Sequence, residues 1–479
     1  MNYEIKKVSR FPIASIGDPL YELSTLRLSA PLKRRHLLTA FDTESEARER
    51  EKEGEEKRYN DLMSTFEMRR LNFIKEMGLC FLLFPSATHS CLSHSIGTWT
   101  IGGYALGQIR VRKAQGEVSL ERWMETERGR KLLNRDDFLL SLLLHDVGRT
   151  PFSSALENCI GKDGKPIFQA YAHITLDYFR KGRYYEKLQD YIEESPITSK
   201  DEVKTLSTVL NEEDLRTIYE ALTGNKELYP VNQLVNGVIE LDKMDSCSRD
   251  SYFTGLALAN TNIKGILESV IIDATEEPKI LLEEFGIPHV IQMLSRRETL
   301  MDRVIDNDYI RGLEAMLSRG VEIAIDQGLL DKDKVIFYTD DELLHALLKC
   351  EDGGGVIKNL VKSVLARRPY PYSYIWRVPA EAKSEDVYNL LAELRDGGDL
   401  TEPKILSFVP KGFGKIEGDE EVWLRDLLVM EREEPLSKIK ERIMGDLKEQ
   451  EVRRMSTIRF YFKDEKIGRE LKKDLNKVV

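Results

Sequence analysis

Cysteine is scarce in this chain and shows no pairing pattern: the 479 residues hold five, Cys80, Cys91, Cys159, Cys247 and Cys350. An odd, scattered set without CxxC or a zinc-like cluster argues against a disulfide scaffold and a zinc knuckle, and it implies reduced thiols in a reducing compartment. Long apolar runs are missing as well. No stretch approaches the roughly 18 residues that span a bilayer, and the opening MNYEIKKVSR lacks the apolar region of a signal peptide. A cytoplasmic protein with no membrane partner is therefore expected. Nor is there a basic excess. Lys and Arg number 71 against 82 Asp and Glu, a formal net charge of -11, whereas general nucleic-acid binding needs a basic face that releases counterions. KRRH at 33–36 and the arginine pairs at 69–70 and 367–368 carry no interleaved aromatics for base stacking, so nucleic acid is not an expected partner.

What the chain does have is enough apolar residue, 41% against 32% charged, to bury a sizeable core in two or three domains. The expected class is mainly α. Helical spacing runs through 66–83, 94–109, 136–147, 202–222, 231–252 and 310–328. Residues 1–65 read as an N-terminal β-hairpin followed by a mixed-charge insertion at 44–58, and 66–350 as the helical core. Beyond EDGGGV at 351–356 the pattern changes. YSYIWRVPA at 372–380, PKILSFVP at 403–410 and STIRFYF at 456–462 read as strands between charged helices, so 351–479 is expected to form a smaller α+β domain.

The most informative segment is SLLLHDVGR at 141–149, where His145 and Asp146 interrupt an apolar run. Leu139, Leu142, Leu143 and Asp146 share helical spacing, which turns the carboxylate onto a buried face of a helix opened by Asp136 or Asp137. Imidazole and carboxylate together suit a divalent ion of intermediate hardness. The plainer alternative has His145 bonding the helix end and Asp146 meeting an arginine. His94 adds to the case, because Thr98 and Ile101 lie four and seven residues on and set it on a packed face. In VNQLVNGVIELDKMDSCSRDSYFTG, residues 231–255, the stripe Val231, Leu234, Val235 and Val238 continues into Asp242. Asp245 and Arg249 are spaced to pair with each other, which leaves Asp242 without a local neutraliser and makes it a candidate fourth ligand.

These motifs resemble the HD-domain phosphohydrolases, most closely the branch that contains the deoxynucleoside triphosphate triphosphohydrolases. The resemblance covers roughly 1–350 and is carried by FEMRRLNFIKEMGLCFLLFPSATHS at 66–90, SHSIG at 93–97, HDVGRTPFS at 145–153 and ELDKMDSCSRDSYFTG at 240–255, with IGDPLYEL at 16–23 similar to the family's N-terminal hairpin. It implies His94, His145, Asp146 and Asp242 as ligands of one divalent metal, with manganese, iron, magnesium, cobalt, nickel and zinc all admissible. It also implies a catalytic part for Asp242, and a phosphate contact for Lys243, which otherwise reads as a solvated lysine. Family members often assemble, so a homo-oligomer is expected by resemblance.

Departures from the family pattern fall around the substrate. The histidine that usually follows HDxG is Arg149, which holds phosphate but does not shuttle protons at neutral pH. A second family histidine is Ser154, an arginine between His89 and His94 is Cys91, and a tyrosine after the metal aspartate is Ser246. Ile305, Asn307 and Asp308 stand where the family places tyrosine, histidine and lysine against the nucleotide. His173 matches the first residue of a His-Glu pair whose glutamate is Ile174; Asp177, one turn later, offers a substitute, and His173 is either a catalytic acid or a satisfied core histidine. His36, His89, His289 and His345 read as structural. The function implied is metal-dependent hydrolysis of a nucleotide or related phosphate ester, with deoxynucleoside triphosphates the first substrates to test. An HD-fold binding or regulatory protein with weak turnover and an HD nuclease are the alternatives.

Overall fold

The computed structural model describes residues 57–162, 166–168, 183–194, 204–223, 225–237, 239–256, 261–378, 383–395, 405–408, 428–429, 434–435 and 456–475. The N-terminal hairpin, most of the charged insertion, His36, His173 and Asp177 lie outside the described residues. The described chain is mainly helical. In sequence order the elements that frame the site are α1 (Phe66–Leu71), α2 (Cys91–Gln108), β1 (Arg110–Lys113), β2 (Gly116–Ser119), α3 (Arg135–Leu144), α4 (Leu241–Thr254), β3 (Val270–Asp273), β4 (Lys279–Leu282), α5 (Ile287–Leu300) and α6 (Asp308–Asp326). No helix among the described residues is long and apolar enough to cross a membrane.

Local chemistry sets the helix ends. Ser90 opens α2 by accepting from Ser93 N at 3.2 Å. Helix α3 is opened by Asn134, which accepts from Asp137 N at 2.9 Å, rather than by Asp136 or Asp137. Those two acids fill the first turn instead, where the helix dipole favours them. The leucines of α3 are buried to within a few percent, each contributing about 1.5–3 kcal/mol of apolar burial.

The expected continuous helix over 231–252 is not continuous. Val231–Leu234 forms a 3-10 turn, and α4 begins at Leu241. At Gly237 the backbone passes too close to the preceding turn to admit a side chain, since a Cβ there would lie 2.5 Å from Gln233 O. The expected helix over 66–83 also divides, into α1 and a 3-10 turn at Gly78–Leu82. Gly78 has φ +52° and approaches so close that an added Cβ would sit 2.6 Å from Phe152 O, a backbone that favours glycine.

Helix α2 crosses both α3 and α4, and glycine makes both crossings close. A Cβ on Gly102 would lie 2.3 Å from Leu142 Cδ1, and one on Gly97 would lie 2.1 Å from Asp245 Oδ1. The site residues of three separate segments are thereby drawn together.

Beyond α6 come β5 (Tyr372–Arg377), β6 (Ile405–Phe408), β7 (Leu428–Val429), β8 (Glu434–Pro435) and β9 (Thr457–Phe462). The three strands expected from sequence form one antiparallel sheet, β5-β9-β6, with Phe460 opposite both Tyr374 and Ser407. Trp376, Ile458, Phe460 and Phe462 pack with Val387 and Leu471 of flanking helices, while Tyr461 and Leu406 join the core around α6. The second sheet runs β2-β1-β3-β4-β7-β8, so that β7 lies parallel to β4 in the register Leu281 to Leu428.

Candidate metal centre

His94 projects from the first turns of α2, His145 and Asp146 from the C-terminal end of α3, and Asp242 from the first turn of α4. Their inward atoms converge. His94 Nε2 lies 2.7 Å from Asp242 Oδ1, 3.2 Å from His145 Nε2 and 3.9 Å from Asp146 Oδ2. His145 Nε2 lies 3.5 Å from Asp146 Oδ2 and 3.8 Å from Asp242 Oδ1. Donors bound at about 2.0–2.2 Å to one ion stand about 3–4 Å apart, so the spacings among His94, His145 and Asp146 fit a shared divalent cation, and Asp242 meets that group through the two histidines. Asp146 Oδ2 supplies a further indication. It is buried and accepts no hydrogen bond among the described residues, so although Arg149 neutralises the carboxylate from its other oxygen, this oxygen still has room for a donor or a cation.

Each imidazole is oriented by its outer nitrogen. His145 Nδ1 faces Leu142 O at 2.8 Å, and a carbonyl there requires Nδ1 to carry the proton and leaves Nε2 as the inward lone pair. His94 Nδ1 faces Asp245 Oδ2 at 2.6 Å. Asp245 is itself held by Arg249, with Nε to Oδ2 at 2.8 Å and Nη2 to Oδ1 at 2.9 Å. The Asp245–Arg249 pair read from spacing is present, but its contact with His94 was not readable from the sequence, because it arises where α2 and α4 meet at Gly97.

Charge in the cluster favours a cation. Burial pushes His94 towards neutrality, yet Glu76, Asp242 and Asp245 together raise its pKa well above the usual histidine range. Burial likewise opposes charge on Asp245, but Arg249 and His94 hold it down to about 2. For Asp242 burial is outweighed by His94, His145 and Arg149, which keep the carboxyl far below its ordinary value. The cluster is sealed behind His94 and opens at Asp242, whose side chain is 33% exposed.

The phosphate candidates are both engaged. Arg149 reaches Glu76 Oε1 from Nη2 at 2.9 Å and Asp146 Oδ1 from Nε at 2.8 Å. Lys243 Nζ lies 2.9 Å from Glu240 Oε1 and donates to Gly237 O at 2.9 Å, which ties α4 to the turn before it. The loop that follows Asp146 is pinned from outside: Arg70 Nη2 donates to Arg149 O at 2.7 Å, and Asp340 accepts from Phe152 N at 2.6 Å and Lys75 N at 3.0 Å. Phe152 and Ser153 hold left-handed backbone there, at φ +56° and +54°. His89 stays apart, facing Asp250 Oδ1 at 3.0 Å and stacking on Phe253. Asn307, at a family substrate position, caps α6 by accepting from Tyr309 N, and Asp308 pairs with Arg459. All five cysteines are buried free thiols.

No protein-family model matches the chain. An uncharacterized protein of Methanocaldococcus jannaschii is 26% identical over 322 residues, 67% of this chain and 58% of that one. A protein of Dictyostelium discoideum, named as a homolog of deoxynucleoside triphosphate triphosphohydrolase SAMHD1, is 25% identical over 199 residues, 41% of this chain and 33% of that one. The chain thus spans well under two thirds of these relatives. Among solved structures, a phosphohydrolase of Bacteroides thetaiotaomicron shares the fold with a TM-score of 0.56 at 16% identity, over 85% of this chain and 95% of that one.

Proposed function

We propose that this chain, which resembles the HD-domain phosphohydrolases and their deoxynucleoside triphosphate triphosphohydrolase branch, is a metal-dependent hydrolase of a nucleotide or related phosphate ester. The observation that carries the reading is the ligand-spaced group of His94, His145 and Asp146, with Asp242 Oδ1 2.7 Å from His94 Nε2 and 3.8 Å from His145 Nε2, and Asp146 Oδ2 buried without a hydrogen bond among the described residues. In this reading those four residues hold one divalent ion. When bound, the ion supplies Lewis acidity towards a phosphoryl oxygen and activates water.

The protein's own part is orientation and charge. Asp245 and the Leu142 carbonyl fix the orientation of the two imidazoles, and His94, whose pKa the surrounding carboxylates raise, gives up its Nε2 proton when metal binds. The exposed edge at Asp242 is where substrate enters, with Lys243 on the adjoining turn as a phosphate contact and Arg149 as fixed positive charge behind the centre. His173 is retained as a proton donor to the leaving group. The division into 1–65, 66–350 and 351–479 and a homo-oligomeric state belong to the same proposal.

The departures at Cys91, Ser154, Ser246 and Ile305 favour narrow or slow turnover of ordinary deoxynucleoside triphosphates, since each lost ring or charge removes orientation that in-line attack requires. The test is metal analysis of the purified protein, then incubation with manganese, magnesium, iron, cobalt or nickel and a panel of nucleotides, phosphomonoesters and single-stranded DNA. Asp242→Ala is expected to lose metal and all hydrolysis. A full metal complement in that variant removes Asp242 from the centre, and wild type that binds metal but hydrolyses nothing in the panel leaves the binding-protein alternative standing.

A further inference from the structure

Asp146 uses its two oxygens in opposite directions. Oδ2 faces the imidazoles of His94 and His145, while Oδ1 faces Arg149 Nε at 2.8 Å. On that second side lie Glu76 and Cys91, and donor atoms of Glu76, Cys91 and Asp146 fall within 4.8 Å of one another, a span that ligands of a single ion can adopt. The Glu76 side chain is 9% exposed, and Cys91 and Asp146 are 0% and 3% exposed. Glu76 Oε2 is buried and has no hydrogen-bond partner among the described residues, while the Glu76 carboxylate also meets the Cys91 thiol, which stays protonated beside it. Two buried carboxylates and a thiol therefore lie together, and the Arg149 guanidinium stands between the carboxylates, with Nη2 donating to Glu76 Oε1 and Nε in ion-pair contact with Asp146 Oδ1 but without hydrogen-bond geometry.

We propose that Arg149 is a built-in second cation: its guanidinium takes the place of a second metal ion that Glu76, Cys91 and Asp146 would otherwise bind, so that Asp146 bridges a metal on one side and an arginine on the other. A guanidinium suits this position because it reaches both carboxylates at once and its charge does not depend on pH. Its backbone is fixed by the bond from Arg70 to Arg149 O and by Arg149 N donating to Asp146 O at 2.9 Å, so the side chain starts from a set point. The arrangement supplies positive charge beside the phosphate without a second exchangeable ion. This inference rests on the four-residue cluster being a metal centre.

The experiment counts metal and reads the thiol. Protein stripped with chelator is titrated with cobalt(II), following equivalents bound by elemental analysis and thiolate-to-cobalt charge-transfer absorption. Wild type is expected to bind one equivalent without the thiolate band. Arg149→Met is expected to bind two, the second with the band, and Arg149→Met combined with Cys91→Ser to lose the band. A folded Arg149→Met that binds a single equivalent overturns the inference. So does wild type that binds two or shows the band; should Arg149→Met fail to keep its helical circular dichroism, Arg149→Gln is read in its place by the same counts. Wild type that binds none overturns the metal-centre reading itself, and this inference with it.

Discussion

Asp245 Oδ2 sits 2.6 Å from His94 Nδ1 and at the same time 2.8 Å from Arg249 Nε, so one carboxylate couples a surface of α4 to the orientation of an imidazole on α2. Asp245→Asn keeps the shape but weakens the acceptor that fixes the His94 tautomer. Metal affinity is expected to fall about 10–100-fold, measured by titration calorimetry with manganese. Affinity equal to wild type would reduce Asp245 to a packing role.

Gly97 is the point at which that contact is made. An added Cβ would stand 2.1 Å from Asp245 Oδ1 and 2.3 Å from Arg249 Nη2, and neither can withdraw without breaking the pair. Gly97→Ala is expected to destabilise the fold by about 3 kcal/mol, the upper range of overpacking costs, and to weaken metal binding as well. Urea unfolding of the metal-free protein checks the first effect; an unchanged midpoint refutes the close crossing.

Lys243→Ala separates two roles for this lysine. If Nζ contacts substrate phosphate, kcat/KM falls by about 1.5–3 kcal/mol in transition-state terms while metal content stays full. Loss of thermal stability with unaltered kinetics would leave Lys243 as the tie between α4 and Gly237.

Glu67 provides a pH test away from the centre. It is fully buried, accepts from Leu206 N, and burial raises its carboxyl from 4.5 to about 7 despite that bond and nearby Arg70. A carboxyl raised in the folded state binds a proton that the unfolded chain releases, so its contribution is complete below about 4.5 and is lost as pH rises towards 7. At about 1.4 kcal/mol per pH unit the loss approaches about 3 kcal/mol. Glu67→Gln is expected to be more stable than wild type at pH 8 and no better at pH 4, by urea midpoints. A constant difference across that range would show that Glu67 does not titrate in it.

His89→Ala is expected to leave metal content unchanged, because His89 faces Asp250 and Phe253 rather than the cluster. Elemental analysis that shows metal loss would place His89 in the centre.

Periodicity located α2, α3 and α6 and the three strands of the C-terminal sheet, because each is held by a simple face that its residues repeat. It misplaced the start of α4, since the stripe Val231, Leu234, Val235 keeps helical spacing although the chain breaks between Leu234 and Leu241. The short pairs β1–β2 and β3–β4 were not read, four residues being too few for alternation to show. Of the candidate site, His94, His145, Asp146 and Asp242 are legible as polar residues on apolar stripes, and the structure brings their side chains near one another. The part played by Asp245 was hidden, because spacing alone assigned it to Arg249 and only the crossing at Gly97 brings His94 to it.

The parallel pairing of β4 with β7 joins strands that lie on opposite sides of α6 in sequence. While the chain is being synthesised, β4 leaves the ribosome long before its neighbour exists, and its outer edge stays open for the whole of that interval. A nascent or truncated chain that stops before Leu428 carries a bare edge able to recruit strands from other copies. The segment at 428–435 meets only Leu281 and Leu282 of that edge, so even two residues that arrive late take up part of the backbone that another copy would need.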